Sequence, residues 1–142
     1  MLESWHLLAE GLVAASQPSV LAAIMVGAII GLFIGALPGL GPTAGVAILL
    51  PVAVSFDGTA AIAALGAVYY GAQYGGAVTA ILLGIPGDAS ATMTVIDGHK
   101  LARNGKAGAA LGLSIAASFI GGLIGLISVS YTHLTLPTIL RV

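Results

Sequence analysis

Two long stretches of this chain carry no charge. From Leu12 to Phe56, and again from Ala107 to Leu140, there is no Asp, Glu, Lys or Arg. A helix needs about 20 mostly apolar residues to cross the hydrocarbon of a bilayer, and each stretch is longer than that. Soluble domains carry about 25% charged residues; here the share is 6%, against 58% apolar, and mean hydropathy is +1.12. Such segments cannot make a water-facing surface. The predicted fold class is therefore all-α, a polytopic transmembrane helical protein, with the lipid bilayer as its first partner.

The same composition excludes several function classes. A net charge of −1 gives no footing for nucleic acid. With no cysteine there is no thiolate metal site. His6, His99 and His133 show no ligand spacing and are read as solvated surface residues, so neither a metal nor a cofactor is expected. Glu3 and Glu10 occupy the place where a signal peptide would carry its basic region, so a cleaved leader is not expected.

Within the charge-free stretches, glycine and proline set the organisation. Residues 1–16 read as a short amphipathic helix, with Trp5, Leu8 and Leu12 on one face at the interface. Gln17-Pro18-Ser19 breaks it. The span from Val20 to Leu37 carries Gly27, Gly31, Gly35 and Gly39 at four-residue intervals, a stripe on which a neighbouring helix backbone can approach closely. Pro38-Gly39-Leu40-Gly41-Pro42 ends that span, because two prolines and two glycines cannot continue a regular helix. Thr43 to Phe56 is apolar but short, and contains Pro51. Asp57-Gly58-Thr59 is a polar turn with Thr59 as the expected N-cap. Ala60 to Leu83 is a long apolar stretch that Gly75-Gly76 is expected to split. Gly84-Ile85-Pro86-Gly87-Asp88 is a second break. The basic residues Lys100, Arg103 and Lys106 lie in one loop, which the positive-inside rule places in the cytoplasm. Ala107 to Val129 is the last span, with Gly108/Gly112 and Gly121/Gly125 as further small pairs. Residues 1–129 are thus read as one transmembrane domain, part of a longer protein. Residues 130–142 are more polar and are read as an atypical tail resembling sequencing-adapter read-through.

The two Pro-Gly breaks have two physical readings. Unsatisfied backbone in lipid costs several kcal/mol per group, so each break is either a turn at the surface or an unwound site lining a cavity, as in transporters with discontinuous or re-entrant helices. In the second case the helix starting near Gly41 and Thr43 presents free N–H groups with a partial charge of about +0.5, able to hold an anion without a buried cation. The carbonyls of Leu37 and Leu40, with the Thr43 hydroxyl, could instead hold a cation. The second break offers Pro86, Gly87 and Ser90 in the same way, while Asp88 is read as sitting at the membrane edge. Tyr70 and Tyr74 share one helix face, and Tyr69 and Gln73 another, as interfacial anchors or as a cavity lining. An intramembrane aspartyl protease would need Gly where Ile85 stands and a Tyr-Asp pair that this chain lacks, so no enzyme is expected.

Gly35-Ala36-Leu37-Pro38-Gly39-Leu40-Gly41-Pro42 resembles the signature of the large membrane subunit of tripartite tricarboxylate transporters. The block from Tyr69 to Leu83, then Pro86-Gly87-Asp88-Ala89-Ser90 and Asp97-Gly98-His99-Lys100-Leu101-Ala102-Arg103, follow in that family's order, and the resemblance runs from about Glu10 to Ile127. The family pattern has Asn and Glu where this chain has Gly84 and Asp88. The resemblance implies a fragment of a larger multi-pass permease in a bacterial inner membrane. It also implies a small membrane subunit and a periplasmic solute-binding protein as partners, and uptake of tricarboxylates or related carboxylates driven by a sodium or proton gradient. On this reading Pro38, Gly39, Gly41, Pro42, Thr43, Tyr74, Thr79, Pro86, Gly87 and Ser90 are the candidate substrate or ion site. Gly27, Gly31 and Gly35 serve helix packing. The alternative is a non-transporting membrane scaffold or assembly module whose glycines serve packing alone.

Overall fold

The computed structural model describes the backbone of residues 2–139, and the side chains of residue 6 and residues 9–132. Among these the chain is all helical, without a strand: α1 (Leu2–Ala15), α2 (Pro18–Gly35), α3 (Gly41–Ala53), α4 (Gly58–Leu83), a short turn (Ala89–Ala91), α5 (Thr92–Thr94), two wide helical turns (Val95–His99 and Ala102–Lys106) and α6 (Ala107–Ile139). The helix at Pro18–Gly35 and the stretch Ala102–Thr132 are long and apolar enough to cross a membrane, and Gly41–Ala53 is a shorter apolar helix.

Local chemistry explains the boundaries. Pro18 opens α2, where its missing N–H would have had no partner in any case. The helix stops at Gly35 because Pro38 pushes the residue before it out of the helical region. Gly39 (φ 89°) and Gly41 (φ 59°) then take left-handed backbone that other residues adopt only with strain. Gly84 (φ 70°) closes α4 in the same way. The glycine stripe therefore ends at Gly35; Gly39 lies beyond the helix, on the exposed turn.

The core is the α2–α4 interface, and it is made by absent side chains. Gly27, Gly31 and Gly35 are buried. A Cβ added to Gly27 would lie 2.6 Å from the Ala64 carbonyl oxygen, and one on Gly31 or Gly35 would overlap the backbone of Val68 or Ala72. The close approach is mutual: Gly71 rests on Ala28 and Leu32 of α2, and Gly75 on Leu32 and Ala36. Lipid supplies no hydrophobic drive between helices, so association rests on such contacts. Val68, Ala72, Ala80 and Ile81 on α4 are almost fully buried.

Several sequence expectations are corrected here. Gly75-Gly76 does not split α4, which runs unbroken from Gly58 to Leu83; the two glycines answer to the backbones packed on them rather than to local propensity. The N-cap of α4 is Asp57, and no side chain caps it by a hydrogen bond; Thr59 lies inside the first turn. The basic segment is not an open loop. It is helical up to a kink at Asn104 and Gly105 (φ 77°), while Lys100, Arg103 and Lys106 stay exposed. His99 is half-buried, not solvated. Its Nδ1 lies 3.0 Å from the Ile81 carbonyl oxygen, one of the four at the end of α4 that have no intrahelical partner. His6 is exposed and pairs with Glu10 at 3.3 Å, whereas the side chains of Trp5, Leu8 and His133 lie outside the described residues. Helix α6 continues past Val129 to Ile139. Most of α6 is exposed, with Leu113, Phe119, Ile124 and Ile127 among its bare apolar side chains. That surface suits lipid or further helices and not water.

Candidate substrate and ion site

The two Pro-Gly breaks meet. The Gly39 N–H donates to the Gly87 carbonyl oxygen across 3.1 Å. Gly87 fits there because it has no side chain: a Cβ on it would lie 2.6 Å from the Gly35 carbonyl oxygen and would overlap Gly76. Three glycines, from the end of α2, the middle of α4 and the second break, thus bring three backbones into contact. Gly41 borders the same point, since a Cβ on it would lie 3.6 Å from Asp88 Cβ.

Helix α3 starts at this junction, and no side chain caps it by a hydrogen bond. Pro42 has no N–H, so the free donors of the first turn belong to its neighbours. They carry the partial positive charge of a helix start. Asp88 is occupied elsewhere: its Oδ1 accepts from the Ala91 N–H at 3.2 Å, capping the Ala89–Ala91 turn. Ser90 Oγ stands 2.8 Å from Asp88 Oδ1, 3.0 Å from Oδ2 and 3.0 Å from Gln73 Oε1. The Gln73 amide nitrogen in turn reaches the Tyr69 hydroxyl at 3.5 Å. A polar chain therefore runs from α4 to the second break.

The expected site residues divide into two groups. Gly39, Gly41, Gly87 and Ser90 come together at or beside the junction, with Pro42 and Gly87 buried, Pro86 half-buried and Pro38 exposed. Tyr74 is half-buried and lines a cavity of about 590 Å³ between α4, the 90–94 segment and α6, together with Tyr70, Gln73, Ser90, Ser114 and Ser118. Thr79 sits one turn beyond Gly76 on α4. It is buried, and its hydroxyl donates to the Gly76 carbonyl of its own helix at 3.1 Å. Thr43 is exposed in the first turn of α3. The Leu37 carbonyl already accepts from the Leu40 N–H at 3.3 Å. Gln73 and Asp88 are the additions that sequence alone did not place in the site. The Asp-x-Ser spacing of a turn cap was a signal for Asp88, but nothing local links Ser90 to a glutamine on α4.

An all-helical membrane protein whose apolar helices are interrupted at two points, with the interruptions in contact, is built as transport proteins are. The comparison with known families agrees: the profile of the tripartite tricarboxylate transporter TctA family matches residues 21–140, and the chain belongs to that family. It is also 46% identical over 99 residues to an uncharacterized 52.8 kDa protein in the TAR-I ttuC′ 3′ region of Agrobacterium vitis. That stretch is 70% of this chain but only 20% of the relative, so the chain spans about a fifth of the relative's length. No solved structure matches the chain.

Proposed function

We propose that this chain is part of a bacterial inner-membrane, multi-pass permease that takes up tricarboxylates or related carboxylates. On this reading it works with a small membrane subunit and a periplasmic solute-binding protein, and an ion gradient drives uptake. One observation carries the reading: the Gly39–Gly87 hydrogen bond, which joins both breaks beside the uncapped start of α3. A substrate carboxylate would sit on the free N–H groups around Gly41 and Thr43, where the helix dipole offsets its charge. Gly39, Gly41, Pro42, Thr43, Pro86, Gly87 and Ser90 surround that seat. Alternating access would proceed by movement around this unwound backbone. The test is uptake of labelled carboxylates by vesicles that hold the full-length permease and its partners. Gly41→Leu with Thr43→Val abolishes uptake on this reading, and unchanged uptake refutes the seat.

A further inference from the structure

Helix α6 runs back alongside α4. Ala110 shares a groove with Ile81, while Ser118 and Gly121, further along α6, share a cavity with Tyr70 and Tyr74, further back on α4. The segment that joins the two helices therefore lies at one end of both, where α4 stops at Leu83 and the apolar stretch Ala102–Thr132 begins. In a membrane that end is a surface. Lys100, Arg103 and Lys106 stand there, all exposed, and none forms an ion pair among the described residues. Asp97 is the one acidic residue between 95 and 106, so the segment keeps an excess of positive charge.

Beside these cations is a groove of about 570 Å³ between the end of α4, residues 93–101 and α6. Ile81, Met93, Leu101, Ala110, Leu113 and Ala117 make most of its wall, and Asp97 also lines it. Met93 and Leu113 are largely exposed, so the groove is open. Leu101 is next to Lys100 in sequence and Ala110 is one helical turn from Lys106, so the apolar wall runs up to the cations. Apolar surface that ends in unpaired cations at a membrane surface matches a molecule with an apolar chain and an anionic head. Lys and Arg stems lie along apolar surface while their charges stay at headgroup level, and an anionic leaflet favours each such cation by about fivefold in affinity.

We infer that the groove between residues 93–101 and α6 binds an anionic phospholipid. Its acyl chain lies against Leu101, Leu113 and Ala117, and its phosphate sits among Lys100, Arg103 and Lys106. The inference does not depend on what the permease carries.

The experiment uses the full-length permease, with any other cysteines replaced and a bimane fluorophore on Leu113→Cys, in bilayers of mixed lipid. Quenching by a lipid with brominated acyl chains, diluted with unbrominated phosphatidylcholine, gives the affinity of that lipid relative to phosphatidylcholine. Phosphatidylglycerol is preferred by about tenfold or more. Phosphatidylethanolamine, with the same phosphate but no net charge, is not preferred. Lys100→Gln, Arg103→Gln and Lys106→Gln together bring the phosphatidylglycerol preference below about twofold. Asp97→Asn raises it severalfold, a gain that misfolding does not produce. Equal affinity for phosphatidylglycerol and phosphatidylcholine overturns the inference, as does phosphatidylethanolamine binding as tightly as phosphatidylglycerol. A preference that survives the triple substitution, or one that Asp97→Asn leaves unchanged or weakens, overturns it too. No quenching by any lipid also overturns it and assigns the groove to another protein segment.

Discussion

The Gly39 N–H donates to the Gly87 carbonyl across 3.1 Å, joining two turns that stand far apart in sequence. Neither partner tolerates a side chain for a neutral reason: Gly39 has φ 89°, and Gly87 is pressed between Gly35 and Gly76. The junction is therefore a backbone structure, and substitutions that add atoms to it have predictable costs.

Gly87→Ala places a methyl group within 2.6 Å of the Gly35 carbonyl oxygen. Overpacking of this kind costs about 1–3 kcal/mol. The expected result is a lower thermal midpoint in detergent together with reduced carboxylate uptake by the full-length protein. A variant with wild-type stability would show that the three backbones are not in contact.

Gly31→Ala tests the α2–α4 interface. The added methyl would overlap the Val68 backbone, and the two helices must separate, at a cost of about 1–3 kcal/mol. Gly66→Ala on α4 is the control, since a Cβ there meets nothing within 4 Å and alanine is the better helix former by about 1 kcal/mol. Thermal unfolding of the two variants should differ in sign.

His99→Ala removes the contact with the Ile81 carbonyl. A hydrogen bond of this type contributes about 0.5–1.5 kcal/mol net, and the freed carbonyl lies at a helix end. Amide hydrogen exchange should quicken across residues 95–106 and stay unchanged in α2. Equal protection in both proteins would mean that the segment is held by something other than His99.

Topology can be tested with a single cysteine, since these 142 residues carry none and any elsewhere in the full-length permease can be replaced. Lys106→Cys, in the exposed basic segment, should react with a membrane-impermeant maleimide in inside-out vesicles and stay unlabelled in right-side-out ones. The reverse pattern would invert the orientation.

Much of this architecture was legible in the sequence, for reasons that are local. The charge-free stretches mark α2 and α6, and Pro38 and Pro86 mark the breaks, because proline cannot continue a helix whatever surrounds it. The spacing of Gly27, Gly31 and Gly35 gave the face of α2 that is buried against α4. What was not legible depends on the third dimension. Gly75-Gly76 reads as a break by propensity, but packing from Leu32, Ala36 and Gly87 overrides it. His99 and Gly98 look like loop residues, yet both are pinned to Ile81 at the end of α4. The meeting of Gly39 with Gly87, and of Ser90 with Gln73, is long-range pairing that no periodicity encodes.

The most direct test of the central claim, that the two breaks form one binding site, is a disulfide between them. A Cβ at position 41 would lie 3.6 Å from Asp88 Cβ, within the range of about 3.5–4.5 Å that a disulfide spans. The full-length permease carrying Gly41→Cys and Asp88→Cys, with any other cysteines removed, is oxidised in the membrane with and without a saturating carboxylate. Rapid cross-linking that the carboxylate slows is the expected outcome. No cross-link, or a cross-link that forms at the same rate with carboxylate bound, would contradict the claim.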